Sequence, residues 1–389
     1  MRPDQLKVRL VLARGGTSKG LYLHEGDLPE RGLERDRLLA RLMGSPDILQ
    51  IDGLGGSRPI TSKIAIIKAS ERPDADIDYT FAQVDISTGQ VGYGGNCGNI
   101  SSGVGPFAVD EGLVDISGDT ALVRIYNTNT RKILIAEVPV QGGKAAVNGN
   151  FEIPGVPGTG AEIVMNWAAT VGAKTGRLLP TGNVVDLIEL EDGRSVHVTL
   201  CDAANPCLWV SGPDMDLCGD ESIDEINSNK SVLAAVRELG AKAAVLAGMS
   251  QDWRSSISQT GAFPLCGFVS PPTAFSTING KRVRADEMDV RVHLIFMGVM
   301  HESIAGTASV SLAAASRVPG SSVHALTQNF DTGVVRIGHP SGVTPSRVAS
   351  SSSDDFPFVQ FRDLGFSRTA RRLMDGSAYV PVEVHADGA

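Results

Sequence analysis

Short strand patterns occur twice in this chain, in the same order and about 190 residues apart, and this repetition most constrains its fold. The segments VRLVLARGGTSKGLYL from Val8 and VHVTLCDAANPCLWV from Val196 each read as a strand, a polar turn and a second strand. The triplet VRI recurs at Val123 and Val335, each time after a small-residue segment that predicts a helix. The alternative is a chance recurrence of short strand patterns in a β-rich chain.

A chain of 389 residues is long for one hydrophobic core, so two domains are expected. We predict a mixed α/β (α+β) protein of two pseudo-symmetric halves, residues 1–185 and 186–389, each a β-sheet wrapped around a central helix. These helices would begin at NCGN (96–99) and GTA (306–308). Two half-barrels facing each other would bring both helix N-termini to one cleft, which we take as the expected site.

Helical periodicity is scarce outside this repeat. LERDRLLARLMG (33–44) predicts a helix that ends at GSP, and SVLAAVRELGAKAAVLAGM (231–249) predicts a second that Gly240 breaks. The basic segment SRTARRLM (367–374) is also assigned to a helix. Most of its arginines are expected in solvent, and one of them, not identified by the sequence, could bind substrate.

Composition excludes several classes of function. A formal net charge of -9 and only 5% aromatic residues argue against nucleic-acid binding. No apolar segment is long enough for a signal peptide or a membrane span. Five cysteines without a CxxC pair favour reduced thiols in the cytoplasm over a disulfide framework or a zinc site. No nucleotide-binding or GxSxG pattern has a suitable context, so we expect chemistry without a metal or cofactor.

Two residues are candidates for acid–base chemistry. Cys97 lies among glycines, asparagines and serines at a predicted helix N-terminus, where the thiolate is favoured. A small buried residue at a tight turn explains Cys97 equally well. Lys63 interrupts the apolar strand ITSKIAII, so if Ile64 and Ile66 face the core, Lys63 points the other way, usually into water. In a desolvated cleft, its neutral amine would instead accept a proton.

The remaining candidate residues are donors that could hold a small anion. Backbone N–H groups at helix N-termini are free to bind carboxylates, and the turn in RGGTSKG offers further amides and hydroxyls, although an ordinary glycine turn is an equal alternative. GHPSG contains a histidine that fits a turn or a hydrogen bond better than a metal site. The candidate substrate-binding residues are Thr17, Ser18, Lys19, Ser62, Asn96, Gly98, Asn99, Gly306, Thr307, Ala308, His339 and Ser341.

Taken together, RGGTSKG, QIDGLGG, TSK, DYTFAQV, GNCGN, LPTGN, GTA and GHPSG resemble the 2-methylaconitate cis–trans isomerase (PrpF) family over nearly the whole chain. The resemblance implies a diaminopimelate epimerase-like fold and cofactor-independent proton transfer, with the TSK lysine and the NCGN cysteine, here Lys63 and Cys97, as catalytic groups. Epimerases with this fold use a second cysteine, and Ala305 stands at that position here, which argues against two-thiol epimerisation.

The resemblance leads us to expect a 1,3-allylic proton shift in an unsaturated di- or tricarboxylate, of the methylitaconate delta-isomerase type. The alternatives within the family are 4-oxalomesaconate tautomerase and 2-methylaconitate cis–trans isomerase. From other classes, a hydrolase with Cys97 as nucleophile and a carboxylate-binding protein without catalysis are the competing hypotheses. A homo-oligomer, either a dimer or a tetramer, is also expected.

Overall fold

The computed structural model describes residues 4–256, 260, 264–296, 298–330 and 332–382. The chain divides into two compact units, residues 1–165 with 368–389, and residues 166–367. The division predicted from the sequence lies at residue 185 and assigns the C-terminal residues to the second half. In the structure these residues join the first unit, because the last strand of the chain pairs with the first.

Among its described residues, the first unit combines β-strands with three α-helices. Its helices are α1 (Leu33–Met43), α2 (Gly98–Ser101) and α3 (Val104–Asp110). Its strands are β1 (Gln5–Gly15), β2 (Ser18–His24), β3 (Lys63–Ala69), β4 (Ile77–Val84), β5 (Val91–Gly92), β6 (Thr120–Asn127), β7 (Lys132–Gln141), β8 (Lys144–Ala145), β9 (Ile163–Asn166, ending just past the unit boundary) and β21 (Ala370–Pro381).

The main sheet of the first unit combines antiparallel and parallel strand pairs. β1 pairs antiparallel with β21 and β2, β2 with β3 in parallel, β3 with β4 antiparallel, β4 with β6 in parallel, and β6 with β7 antiparallel. One face carries Leu21, Leu23, Ile64 and Ile66, which form a buried cluster with the apolar side of α1. α2 packs against β1, β2 and β3, and α3 packs against β6, β7 and β8. Because side chains alternate along a strand, both faces of this sheet are covered.

The second unit contains the helices α4 (Ile223–Ser228), α5 (Lys230–Leu246) and α6 (Gly306–Ala315). Its strands are β10 (Asp186–Glu189), β11 (Ser195–Ala203), β12 (Asn205–Ser211), β13 (Leu265–Ser270), β14 (Phe275–Ser276), β15 (Arg282–Val283), β16 (Val290–Phe296), β17 (Val299–Met300), β18 (Val334–His339), β19 (Gly342–Ser352) and β20 (Val359–Arg368).

The strands of the second unit follow the same succession of pairings. β11 pairs antiparallel with β12, β12 with β13 in parallel, β13 with β16 antiparallel, β16 with β18 in parallel, and β18 with β19 antiparallel. All ten residues of α6 are buried against β11, β12 and β19. The helix is built from Gly, Ala, Ser and Thr with two larger aliphatics, so strands can approach it from every side.

The structure confirms both long helices and the strands read from the sequence, with three corrections. The segment from residue 98 to 110 forms two short helices, α2 and α3, rather than one. Gly240 does not break α5, which is continuous through this position. A Cβ there would lie 2.8 Å from Cys266 Sγ, so glycine lets the helix pack closely on β13. Residues 370–374 belong to β21, not to a helix, since their backbone pairs with β1.

Helices within the described part of the chain are too short or too polar to cross a lipid bilayer.

Candidate active site

Strand register places the Lys63 side chain on the sheet face opposite to α1. Lys63 pairs with Gly20 on β2 and with Gln83 on β4, so these three residues share a face. Tyr22 and Tyr79 are on the same face, because they lie two and four residues from Gly20 and Gln83 along their strands. The expectation that Lys63 points away from Ile64 and Ile66 is therefore confirmed. The residue is half-buried rather than fully in solvent.

Polar and aromatic groups of β4 hold the Lys63 ammonium. Lys63 Nζ donates a 2.8 Å hydrogen bond to Gln83 Oε1 and lies 5.2 Å from the centroid of the Phe81 ring. The Gln83 amide nitrogen in turn donates to the backbone carbonyl of Ser62 at 2.9 Å. An aromatic face and an amide oxygen both attract a cation, so the end of this flexible side chain has a defined position.

Cys97 is the N-cap residue of α2 and is half-buried. Asn96, which also has a side chain suited to a helix N-cap, is one residue earlier. Tyr22 and Tyr79 interact electrostatically with Cys97, and the Tyr22 hydroxyl donates to the carbonyl of Ile100 at 2.8 Å. The pKa of both phenols is raised well above 10, mainly by burial and to a smaller extent by the nearby Cys97. Both tyrosines therefore stay neutral at any pH at which the enzyme would work.

Gly20 of β2 lies where α2 and the start of β3 approach each other. A Cβ at this position would lie 2.5 Å from the carbonyl oxygen of Lys63 and 3.0 Å from Ile100 Cδ1. Only glycine lets the helix and the neighbouring strand come this close. Lys63 and Cys97 therefore belong to elements that pack together on one face of the first unit's sheet.

Asn96 carries a buried donor beside Cys97. Its Oδ1 accepts a 3.0 Å hydrogen bond from the Ser101 hydroxyl, whereas its Nδ2 has no acceptor among the described residues. An unsatisfied buried N–H group is costly, so an anion that accepts from it would be stabilised. This observation favours Asn96 as a contact for a substrate carboxylate.

Asn99 links the β1–β2 turn to a buried arginine. Its Nδ2 donates to Thr17 Oγ1 at 2.9 Å, and its Oδ1 accepts from Arg368 Nε at 3.1 Å. The sequence did not identify which arginine of SRTARR is close to the candidate site. It did not single out Arg368, because the segment was assigned to a helix. Of the remaining predicted donors here, Ser18 and Gly98 are buried and Lys19 is half-buried.

Ser62 is turned into the interior. Its hydroxyl donates to the Val84 carbonyl at 2.9 Å and accepts from Gln50 Nε2 at the same distance. Because both partners are internal, these contacts favour a role for Ser62 in holding the start of β3.

The predicted residues of the second unit lie at the start of α6 and in the β18–β19 hairpin. Gly306, Thr307 and Ala308 are buried, and Thr307 Oγ1 accepts from Asn205 Nδ2 at 2.9 Å. His339 is buried with Nε2 2.7 Å from Thr344 Oγ1, and the Ser341 hydroxyl donates to the carbonyl of Glu302.

The other cysteines are poor candidates for thiol chemistry. All five are free, as predicted. Cys201, Cys207 and Cys266 are fully buried; burial raises the pKa of Cys201 and Cys266 to about 12, and that of Cys207 well above its ordinary value. Cys218 is exposed. No cluster of His, Cys, Asp or Glu suited to a metal ion occurs among the described residues.

The first unit thus combines a lysine, a cysteine and amide donors on a mixed α/β scaffold, and solved structures share this fold. A hydroxyproline epimerase from Agrobacterium vitis is 11% identical, with a TM-score of 0.53 over 97% of this chain and 93% of the epimerase. At that identity the likeness shows the fold alone. The crystal structure of methylitaconate-delta-isomerase is much more similar, with 44% identity and a TM-score of 0.87 over 100% of this chain and 99% of that one.

The family model described as PrpF protein matches residues 5–381, and the chain belongs to this family. It is 46% identical to 3-methylitaconate isomerase from Eubacterium barkeri, over 97% of this chain and 98% of the relative. It is 36% identical to 2-methyl-aconitate isomerase from Shewanella oneidensis (97% and 98% covered) and 37% identical to 4-oxalomesaconate tautomerase from Pseudomonas putida (96% and 96%). The protein is thus an isomerase similar to methylitaconate isomerase. The predicted family and enzyme class are confirmed, and the hydrolase and binding-protein hypotheses are not supported.

Proposed function

We propose that this isomerase moves a carbon–carbon double bond of an unsaturated di- or tricarboxylic acid by a 1,3-proton shift, with methylitaconate as the favoured substrate. The observation that carries the proposal is that Cys97 caps a helix packed on the sheet face to which Lys63 points, and the two elements meet at Gly20. An amine and a thiol close to one sheet face provide two groups that can exchange protons with the two ends of an allylic unit.

The reaction starts at the allylic carbon next to a carboxylate. Lys63 acts as the general base and takes the proton, the C–H bond breaks, and its electron pair delocalises over the double bond and the carboxylate. A new C–H bond then forms at the far end of the allylic unit. Its proton comes from the Lys63 ammonium or from the Cys97 thiol. The double bond has then moved by one position, and rotation in the delocalised intermediate gives cis–trans isomerisation instead.

Hydrogen-bond donors stabilise the charge that develops on the carboxylate in this intermediate. In the first unit we assign this role to the free amide N–H of Asn96, together with Thr17, Ser18, Lys19, Gly98 and Asn99. In the second unit we assign substrate contacts to Gly306, Thr307, Ala308, His339 and Ser341. Ser62 acts by holding the strand that carries Lys63.

We also propose that the fold is diaminopimelate epimerase-like, with two pseudo-symmetric halves each built around a central helix. The repeated VRI triplets support this division, because each places an arginine in an equivalent ion pair. Arg124 Nη2 donates to Asp76 Oδ1 at 2.6 Å, and Arg336 Nη2 donates to Asp289 Oδ1 at 2.7 Å. In each pair the arginine backbone N–H also donates to the other carboxylate oxygen, at 2.7 Å.

An ultraviolet assay of the purified protein tests the function, because the conjugation of these acids changes on isomerisation. Methylitaconate, 2-methylaconitate, aconitate and 4-oxalomesaconate are compared, with Lys63→Met as the inactive control. We expect the highest kcat/KM with methylitaconate. Turnover of 4-oxalomesaconate or 2-methylaconitate at a higher kcat/KM would reassign the substrate within the family, and no turnover of any acid would contradict the proposal.

A further inference from the structure

Arg368 is a buried cation next to the N-cap of α2. It lies at the end of β20 with 5% of its surface exposed, and its Nε donates to the side chain of Asn99, two residues beyond Cys97. Its Cδ lies 3.1 Å from the position that a Cβ of Gly16 would occupy, and Gly16 has a φ of +52°. A residue with a side chain at position 16 would therefore be strained and would displace the arginine.

A cation matters here because α2 is short. A helix of four residues has few aligned peptide dipoles, so it provides little of the thiolate stabilisation expected from a longer helix. Arg368 interacts electrostatically with Cys97. Burial lowers the pKa of Arg368 to about 10, and the interaction with Cys97 opposes this change. Arg368 therefore still carries its charge at neutral pH.

Most of the other ionisable groups near α2 are paired with other residues or are neutral. The helix packs against β1, β2, β3 and α3. On the strands, Arg9 and His24 contact Glu111, and Lys68 contacts Glu25. On α3, Asp110 pairs with Arg372. The Arg14 guanidinium donates to the carbonyls of Gly16 and Thr369, and Lys63 donates to Gln83. Lys7 and Lys19 are the further cations of these strands, and Tyr22 and Tyr79 are neutral next to Cys97.

We propose that Arg368 is a positioning residue that stabilises the thiolate left when Cys97 gives up its proton, and that it fixes the orientation of the Asn99 amide. Because proton donation leaves a negative sulfur next to a guanidinium, the thiol becomes a better acid. In the reverse reaction the same thiolate accepts the proton. The consequence for turnover rests on the proposed function, whereas the effect on the thiol itself does not.

Alkylation of Cys97 by iodoacetamide, measured from pH 6 to pH 10, tests the inference without any substrate. The experiments use the full chain with Cys218→Ser, which leaves Cys97 as the accessible thiol. In Arg368→Met, we expect the alkylation rate at pH 7 to fall about tenfold, with the half-maximal rate shifted up by about one pH unit. Arg368→Lys keeps the charge and should stay within about threefold of the parent. Arg371→Gln, which removes an exposed charge three residues away, should change the rate less than twofold.

A folded Arg368→Met protein with the parental rate and pH profile would overturn the inference. If Arg368→Met does not fold, Arg368→Gln serves as the neutral variant, with the same two outcomes. An altered alkylation profile in a protein that isomerises none of the four acids would contradict the proposed function alone. Isomerisation that depends on Cys97, with an unchanged profile in the neutral variant, would contradict only the role of Arg368.

Discussion

The two units of this chain share a scaffold but differ at the start of their central helices. Both have the same succession of strand pairings and the same arginine–aspartate pair. In the first unit the helix is split into α2 and α3, and its N-cap is Cys97. In the second unit α6 is continuous and fully buried, with Ala305 as its N-cap. The comparison teaches that packing and ion pairs preserve the shared scaffold, while the two side chains that we propose as reactive, Lys63 and Cys97, both belong to the first unit.

The largest effect is expected from Lys63→Met in the first unit. Removal of a general base typically costs 10²–10⁴-fold in rate, and we expect kcat to fall about 10³-fold, with binding of a substrate analogue retained in calorimetry. Lys68→Met is the matched control on the same strand; Lys68 is exposed and pairs with Glu25 at 3.0 Å. Its loss should leave kcat unchanged. A Lys63→Met protein with near-normal kcat would remove the lysine from the mechanism.

Replacement of the thiol tests whether chemistry is confined to one copy. We expect Cys97→Ser to lower kcat about 10²-fold, because a hydroxyl is a much weaker acid than a thiol. A second change, Ala305→Cys, would put a thiol at the N-cap of α6, and we expect it not to restore activity in Cys97→Ser. Cys218→Ser is the control and should be unaffected. Recovery of activity with Ala305→Cys would mean that the two copies are chemically interchangeable.

The two ion pairs should differ in their contribution to stability. The Asp289 side chain is 2% exposed and also accepts from Asn329 Nδ2, whereas Asp76 is 26% exposed. We expect Asp289→Asn to lower the free energy of unfolding by about 2–3 kcal/mol, and Asp76→Asn by about 1 kcal/mol. Urea unfolding measures both, and all three tryptophans lie in the second unit, so their fluorescence follows Asp289→Asn. Equal losses would show that burial does not distinguish the pairs.

A smaller, pH-dependent effect is expected at His293 in the second unit. Burial, and then the Arg291 guanidinium, lowers the pKa of His293 to about 3, although a Glu221 oxygen lies 3.7 Å from Nδ1. The folded state keeps His293 neutral, while the unfolded chain binds a proton below about pH 6.5. Stability from this group is therefore complete above pH 6.5 and is lost progressively towards pH 3.

We expect tryptophan-detected unfolding to lose about 1–2 kcal/mol of stability between pH 7 and pH 5. This loss should be reduced in His293→Gln and unchanged in His197→Gln, whose histidine is exposed on β11. The same pH dependence in all three proteins would contradict the assignment to His293.

The sequence predicted the elements whose pattern is local. The apolar periodicity of α1 and α5 and the alternation of β1, β3 and β6 were sufficient to place them. The split of α2 from α3 was missed, because a run of small residues and glycines has no periodicity that marks a break. SRTARRLM was assigned to a helix, because a short basic segment does not reveal that its backbone pairs with β1.

The site could be predicted only in part, because the sequence reveals local patterns but not contacts between distant segments. Lys63 and Cys97 came from residue type and from family resemblance, and the structure adds that the helix capped by Cys97 packs on the sheet face to which Lys63 points. The inward-facing hydroxyl of Ser62 and the buried Arg368 depend on contacts with residues far away in sequence, such as Gln50 and Asn99. The predicted homo-oligomer stays a prediction.

Proton NMR of methylitaconate isomerised in heavy water tests most directly whether this amine and thiol move an allylic proton. We predict that wild-type enzyme places deuterium only at the two ends of the allylic unit, and that Lys63→Met places none. Deuterium at any other carbon, or full label incorporation by Lys63→Met, would contradict the proposed proton shift.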